Sequence, residues 1–185
     1  NGVQGQSDVT NRSSPVQIGT GSWLQIVASK INNFSLGIRS DRTLYSWGVG
    51  SGGQLGQNSA AQCSSPIQIG TSSWIQVAAG SFVAAIRSDG GLFTWGVGTS
   101  GQLGQNDVIS RSSPVQVGAS SWTQVSTGTI FALAIRTDGG LFSWGTNTSG
   151  QLGLNDALNR SSPVQVGTSS WIQDRKSTRL NSSHT

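Results

Sequence analysis

Apolar and polar side chains alternate along short segments of the chain, a period that predicts β-strands. In the clearest stretch, apolar and polar residues alternate over residues 114–117, and residues 122–125 are predicted to form the second strand. Residues 131–136 are nearly all apolar, as in a strand buried on both faces. Asp138-Gly139-Gly140 is a hairpin signal, and residues 141–144 complete a set of four short strands.

This set recurs along the whole chain at intervals of about fifty residues. Each copy carries Ser-Ser-Pro, a first tryptophan, a second tryptophan and Gly-Gln-Leu-Gly in the same order. The spacing of these markers predicts a partial repeat at residues 1–14, repeats at about 15–65, 66–113 and 114–162, and a partial repeat at 163–173. Within a repeat, residues 118–121 are expected to turn the chain between the first two strands.

Four antiparallel strands per repeat predict an all-β fold, a partial β-propeller of about three four-stranded blades. A blade buries its faces only against its neighbours, and large aromatic rings suit that contact. We therefore expect the tryptophans to form the core between blades: Trp23, Trp47, Trp74, Trp95, Trp122, Trp144 and Trp171.

The combined motif resembles the repeats of the regulator of chromosome condensation family. It is carried by Leu-Phe-Thr-Trp-Gly at 92–96, Gly-Gln-Leu-Gly at 101–104, Pro114 and Trp-Thr-Gln-Val at 122–125. The resemblance implies a ring of seven blades, of which three blades are a part. Residues 1–6 lie 99 residues before residues 100–105, the same offset as Pro15 to Pro114, and we interpret them as a degraded copy of the Gly-Gln-Leu-Gly loop. One departure is Asp41-Arg42-Thr43, which stands where the later repeats have Asp-Gly-Gly. Another is a family histidine that is replaced by Phe34, Val83 and Phe131.

The founding member of that family is a nucleotide exchange factor for a Ran-type GTPase and binds chromatin. This sequence matches neither an inserted wedge loop nor a basic tail for those tasks, and its near-identical repeats look more like bacterial or viral members. The leading prediction is a non-catalytic scaffold for a protein partner, located outside the cell, on a cell surface or on a virion. Guanine nucleotide exchange is the alternative, and chromatin or DNA binding the second alternative.

Composition and charge agree with an all-β binding protein. Only 10% of residues are charged, glutamate is absent and glycine occurs 26 times, which leaves little to build helices from. The net charge of +4 falls to +2 when residues 174–185 are set aside, since they hold three of the eleven basic and one of the seven acidic residues. Basic residues do not cluster before that tail, so no nucleic-acid partner is expected.

Residues 174–185 break the repeat in mid-strand. Their sequence resembles the translation of a common sequencing-library adapter, as found in metagenomic fragments, and we interpret them as a non-native or disordered tail. The interruption should leave blade faces open at both ends of the array, and self-association through those faces is expected.

The side-chain inventory argues against catalysis, metal binding and cofactors. The only histidine is His184 in the tail and the only cysteine is Cys63, so neither a catalytic triad nor a thiolate metal site can be assembled. Residues 96–101 fit G-x-G-x-x-G, but no helix follows to receive a dinucleotide, and we interpret these glycines as turn residues. No apolar run is long enough to predict a membrane span.

Two arginine–aspartate series repeat with the blades. Each has two interpretations, a local ion pair that stiffens a loop or an anchor for a partner. One series places Arg39, Arg87 and Arg136 beside Asp41, Asp89 and Asp138. The other, our candidate partner-binding set, comprises Arg12, Arg111, Arg160, Asp107 and Asp156, with Asp8 near Arg12 and Cys63 in the arginine position of one repeat.

Overall fold

A computed structural model describes residues 4–8, 10–11, 13–29 and 31–171, and these residues form an all-β structure. It contains eleven strands, which are numbered here in chain order. They are β1 (Trp23–Ala28), β2 (Phe34–Arg39), β3 (Leu44–Gly48), β4 (Cys63–Gln68), β5 (Trp74–Ala79), β6 (Phe82–Arg87), β7 (Gly91–Gly96), β8 (Arg111–Thr127), β9 (Phe131–Arg136), β10 (Gly140–Gly145) and β11 (Arg160–Ser170).

The strands form three antiparallel blades of four. Blade 1 has the order β1-β2-β3-β4. The remaining strands lie in one seven-stranded sheet, in which the long strand β8 belongs to two blades. Its first half pairs with β7 and completes blade 2, and its second half pairs with β9 and begins blade 3, which β10 and β11 complete. The predicted partial propeller of four-stranded blades is confirmed.

The blades are offset from the sequence repeats, because the strand that follows Ser-Ser-Pro pairs with the preceding repeat. Gln116, for example, lies opposite Phe93 of β7. The prediction that residues 118–121 turn the chain is therefore wrong, because the chain does not reverse direction there. These residues form a bulge, with Gly118 at φ +57°, and the chain runs on into the next blade. The proline is tolerated because this outermost strand has a free edge.

The segment before blade 1 resembles a loop and an outer strand without the rest of their blade. Gln6 donates to the carbonyl oxygens of Val16 and Gln17, as Gln57 does to those of Ile67 and Gln68. A Cβ at Gly5 would lie 3.1 Å from Nε1 of Trp47, just as one at Gly56 would lie 2.9 Å from Nε1 of Trp95. Residues 13–18 nevertheless form no strand, because the described residues include no third strand to pair with them.

Two hydrophobic clusters form the core, one at each junction between blades. Five of the seven tryptophans are buried, with at most 4% of their surface exposed: Trp74, Trp95, Trp122 and Trp144 within these clusters, and Trp47 outside them. Trp23 is partly exposed. The expectation of a core position is wrong for Trp171, which is 50% exposed, because within the described residues no further blade covers it.

Hairpins between the second and third strands need one residue with a positive φ angle. Gly90 and Gly139 supply it in blades 2 and 3, both at φ +86°. In blade 1 the position is Arg42, which adopts φ +70°. The hairpin therefore forms without glycine, at the cost of a conformation that residues with a Cβ rarely adopt.

Candidate interaction surface

The loops that join the third and fourth strands of blades 2 and 3 share one braced conformation. In blade 2, Asp107 accepts a hydrogen bond from the backbone nitrogen of Ile109 at 3.0 Å and one from Nη2 of Arg111 at 2.6 Å. Nη1 of Arg111 donates to the carbonyl oxygen of Ile109 at 3.1 Å. The aspartate and the arginine thus hold the residue between them on both its backbone groups.

Blade 3 repeats this brace with Asp156, Leu158 and Arg160. The corresponding distances are 3.0, 2.6 and 2.8 Å. A further bond from Nδ2 of Asn147 reaches Asp156 at 3.0 Å. The two loops therefore share the three hydrogen bonds of the brace, which depends on the Asp-x-x-x-Arg spacing.

The residues held by the brace expose apolar side chains. Ile109 is 58% exposed, Leu158 is 65% exposed, and Val108 beside Ile109 is 59% exposed. Large aliphatic side chains at this exposure on a fixed backbone are available for contact with a partner. We call Val108, Ile109 and Leu158 the loop tips.

Blade 1 lacks both the brace and the large apolar tip. Ser59 takes the place of the aspartate, and its hydroxyl accepts from the backbone nitrogen of Ala61 at 3.1 Å. Cys63 takes the place of the arginine, is partly buried, and its thiol donates to the carbonyl oxygen of Ser65 at 2.9 Å. The loop tips are therefore a property of blades 2 and 3.

The hydrogen bonds of the brace lower the pKa of both aspartates. The backbone N–H of Ile109 and then Arg111 lower the pKa of Asp107, and Leu158 and then Arg160 lower that of Asp156. Nη1 and Nη2 of both arginines donate hydrogen bonds within their own loop. The four described residues of the predicted partner-binding set therefore hold the loop tips in place, and the tips are exposed. These residues are Arg111, Arg160, Asp107 and Asp156. Arg12 lies outside the described residues, although Asp8 accepts from the backbone nitrogen of Thr10 at 3.1 Å as in the braced loops.

Sequence reasoning found the brace and missed the tips. The signal was present, because Val108, Ile109 and Leu158 are large apolar residues in loops otherwise rich in Gly, Asn and Ser. Their outward direction depends on the hydrogen bonds of the brace, which spacing alone does not reveal.

The other arginine–aspartate series lies at the hairpins, away from these loops. Arg87 pairs with Asp89 and Arg136 with Asp138, and their guanidinium groups lie 4.8 and 4.7 Å from the ring centroids of Phe93 and Phe142. In blade 1 the arrangement differs. Arg39 lies 4.4 Å from the ring centroid of Tyr45, and Asp41 accepts from the backbone and the hydroxyl of Thr43.

The glycines of the G-x-G-x-x-G match are packing and turn residues. Gly96 and Gly101 have φ angles of +101° and +75°, and a Cβ at Gly98 would lie 2.3 Å from the carbonyl oxygen of Ile109. Among the described residues, no group of three or more His, Cys, Asp or Glu side chains is placed to hold a metal ion. A helix long and apolar enough to cross a membrane is likewise not found in the described part of the chain.

Three repeated blades with this motif define a propeller built from repeats of the regulator of chromosome condensation type. The family model for the regulator of chromosome condensation (RCC1) repeat matches residues 41–86, 89–135 and 138–176, and a second model for the same repeat matches residues 122–151. The chain belongs to this repeat family. Propellers of this family are generally binding and scaffold folds.

Solved structures agree on the fold. Human WBSCR16 is 25% identical, with a TM-score of 0.74 over 89% of this chain and 45% of its own. Prp20p from Saccharomyces cerevisiae is 19% identical, with a TM-score of 0.68 over 79% of this chain and 38% of its own. The yeast RCC1 (Prp20) bound to Kap60 is 20% identical, with a TM-score of 0.74 over 91% and 43%. The chain thus spans less than half the length of each, and no curated protein sequence matches it.

Proposed function

We propose that the chain is a non-catalytic scaffold that binds a protein partner through the loop tips of blades 2 and 3. One observation carries this proposal. Two consecutive blades present an exposed aliphatic residue, Ile109 and Leu158, on loops braced by the same aspartate–arginine pair. Rigid presentation lowers the entropy lost on binding, because the loops are ordered before the partner arrives.

The partner expected for such a surface carries two apolar contact points separated by the distance between neighbouring blades. The brace leaves little uncompensated charge near the tips, so binding should depend weakly on salt. A location on a cell surface or a virion suits a scaffold of this kind and is part of the proposal.

The experiment compares the full chain with an Ile109→Asp, Leu158→Asp variant, each immobilised and exposed to proteins of the source organism. Proteins retained by the unmodified chain and lost with the variant are purified, and their affinity is measured directly. We expect the variant to bind such a partner at least about tenfold more weakly.

The matched control is Ala61→Asp, which places one such charge at the equivalent position of blade 1. It should leave binding unchanged. A purified partner that binds the double variant as tightly as the unmodified chain would contradict the proposal, and so would a partner lost equally with the control.

Nucleotide exchange is the second candidate function. The crystal structure of Prp20p was described together with its binding to Gsp1p and histones, and the similarity of this chain to Prp20p extends to the fold. Release of labelled guanine nucleotide from candidate small GTPases tests this candidate directly. Accelerated release by the full chain would favour it over the scaffold, whereas tight, steeply salt-dependent DNA binding would favour the chromatin alternative.

A further inference from the structure

A groove lies between blades 2 and 3, beside the outer strands of both blades. Its volume of about 370 Å³ falls within the range of about 300–1,000 Å³ that is usual for ligand sites. Blade 2 contributes the segment after Gly-Gln-Leu-Gly and the end of its outer strand, and blade 3 contributes residues of β8, β10 and β11. The lining includes Gln105, Val117, Ser120, Trp122, Phe142 and Pro163.

Trp122 brings an unsatisfied hydrogen-bond donor to this groove. Its side chain is only 4% exposed, and its buried Nε1 has no acceptor within the part of the chain that the structure describes. The buried Trp95 and Trp144, by contrast, each donate from Nε1 to a backbone carbonyl oxygen at 2.9 Å. Buried donors without an acceptor are rare because they are destabilising, so this indole N–H marks a place where an incoming acceptor would be stabilised.

The repeat places the same donor at the junction between blades 1 and 2. Nε1 of Trp74 is likewise buried without an acceptor among the described residues. The residue types around it also recur, since the positions of Gln105, Ser120, Phe142 and Pro163 are held there by Gln57, Ser72, Phe93 and Pro114. The unsatisfied donor is therefore a feature of the blade and not an irregularity of one side chain.

The surroundings of the Trp122 donor carry no net charge. None of the described residues that line the groove is charged. The guanidinium group of Arg136 lies 4.7 Å from the ring centroid of Phe142, but it is paired with Asp138. Electrostatic complementarity to a single N–H donor in neutral surroundings calls for an uncharged acceptor such as an amide carbonyl.

The rest of the lining favours an apolar ligand over a sugar. Phe142 packs edge-on against Trp122, with ring centroids 5.3 Å apart, and Val117 and Pro163 add aliphatic surface. The side-chain nitrogen of Gln105 already donates to the carbonyl oxygens of the outer strand, at 3.1 and 3.2 Å. A sugar needs several polar partners, whereas a mostly apolar ligand with one free carbonyl oxygen matches what the groove offers.

We propose that this groove binds an extended, proline-containing segment of a protein partner. A polyproline II segment forms no internal hydrogen bonds, so its carbonyl oxygens are free to accept from Nε1 of Trp122. Its pyrrolidine rings then lie against Phe142 and Pro163, as in other aromatic-lined grooves that recognise proline-rich segments. The loop tips do not line the groove, so this site goes beyond the proposed function and does not depend on it.

Titration of the full, isotope-labelled chain with an oligoproline peptide tests the site by nuclear magnetic resonance. The probe is an acetylated and amidated peptide of about ten prolines, which spans about 30 Å in the polyproline II conformation. The indole N–H signal of Trp122 is assigned by its absence from the Trp122→Phe variant. We expect this signal to move downfield and to saturate with a dissociation constant below about 1 mM, because the N–H gains an acceptor.

Two variants separate the groove from its donor. Ser120→Tyr fills the groove from a partly exposed position and should weaken binding at least about tenfold, whereas Thr148→Tyr, the same bulk on an exposed loop outside the groove, should leave binding unchanged. Trp122→Phe keeps an aromatic ring without the donor and should weaken binding about threefold to tenfold, as expected for one hydrogen bond. The thermal midpoint of each variant checks that it is folded.

Three results would overturn the proposal. They are an indole signal of Trp122 that does not respond to oligoproline, equal affinity in the Ser120→Tyr variant, and an equal response to a glycine–serine peptide of the same length. Tighter binding of a neutral oligosaccharide would likewise overturn it and assign the groove to a sugar. The Ile109→Asp, Leu158→Asp variant should bind oligoproline as the unmodified chain does, so failure of this proposal is distinguishable from failure of partner binding at the loop tips.

Discussion

The side-chain amide of Gln76 in blade 2 forms two hydrogen bonds with the backbone of Val125 in blade 3. Its Nε2 donates to the carbonyl oxygen at 3.1 Å, and its Oε1 accepts from the backbone nitrogen at 3.0 Å. Gln25 bonds Val77 across the first junction in the same way, at 2.8 and 2.9 Å. The glutamine thus gives a mainly apolar junction a fixed register between neighbouring innermost strands.

Replacing this glutamine should loosen the junction between blades 2 and 3. Gln76→Ala leaves the two backbone groups of Val125 without their partner, which costs about 1–3 kcal/mol in the free energy of unfolding. Urea denaturation followed by tryptophan fluorescence measures this cost. Gln62→Ala, at an exposed loop position, is the control and should change stability by less than about 0.5 kcal/mol. Equal effects of the two substitutions would show that the junction does not depend on the amide.

Tryptophans of different repeats should differ widely in what they contribute to the free energy of unfolding. Trp95 is fully buried and donates from Nε1 to the carbonyl oxygen of Gln54 at 2.9 Å, so Trp95→Ala should cost roughly 3–5 kcal/mol. Trp171 is half exposed, and Trp171→Ala should cost less than about 0.5 kcal/mol. Chemical denaturation of the two variants tests the contrast, and a comparable loss in both would mean that Trp171 is covered in solution.

The repeat made the blade predictable, because strands, hairpins and tryptophans recur in phase. The offset between repeat and blade was not predictable from Pro114 and Trp122, since alternation identifies a strand without identifying its partner. The loop tips were missed for a similar reason. Asp107 and Arg111 were visible as a pair, but only three-dimensional hydrogen bonds show that they hold Ile109 outwards. The expected properties of residues 174–185 lie outside the described residues.

The hairpin of blade 1 should become more stable when its arginine is replaced by glycine. Arg42 is exposed and has φ +70°, where glycine avoids the clash of a Cβ with the backbone. Arg42→Gly should therefore raise the free energy of unfolding by about 1 kcal/mol. The reciprocal change in blade 2, Gly90→Ala, should lower it by a similar amount. Thermal denaturation checks both, and a loss of stability in Arg42→Gly would show that the arginine side chain matters more than its backbone.

Acid should destabilise blades 2 and 3 through their hairpin carboxylates. A hydrogen bond from Arg87 and one from the backbone of Gly91 lower the pKa of Asp89 to about 2, and Arg136 and Gly140 lower that of Asp138 to about 2. An unfolded aspartate has a pKa of about 3.9. Because the folded pKa is the lower one, the stabilisation is complete above about pH 4 and is lost as the pH falls towards 2.

The measurement is the free energy of unfolding as a function of pH for the full chain and for an Asp89→Asn, Asp138→Asn variant. The variant should be less stable than the unmodified chain near neutral pH, and the difference should shrink between about pH 4 and pH 2. Both carboxylates are about half exposed, so the difference should also shrink at high salt. Two pH profiles that run parallel through this interval would show that the arginine–aspartate pairs do not stabilise the fold.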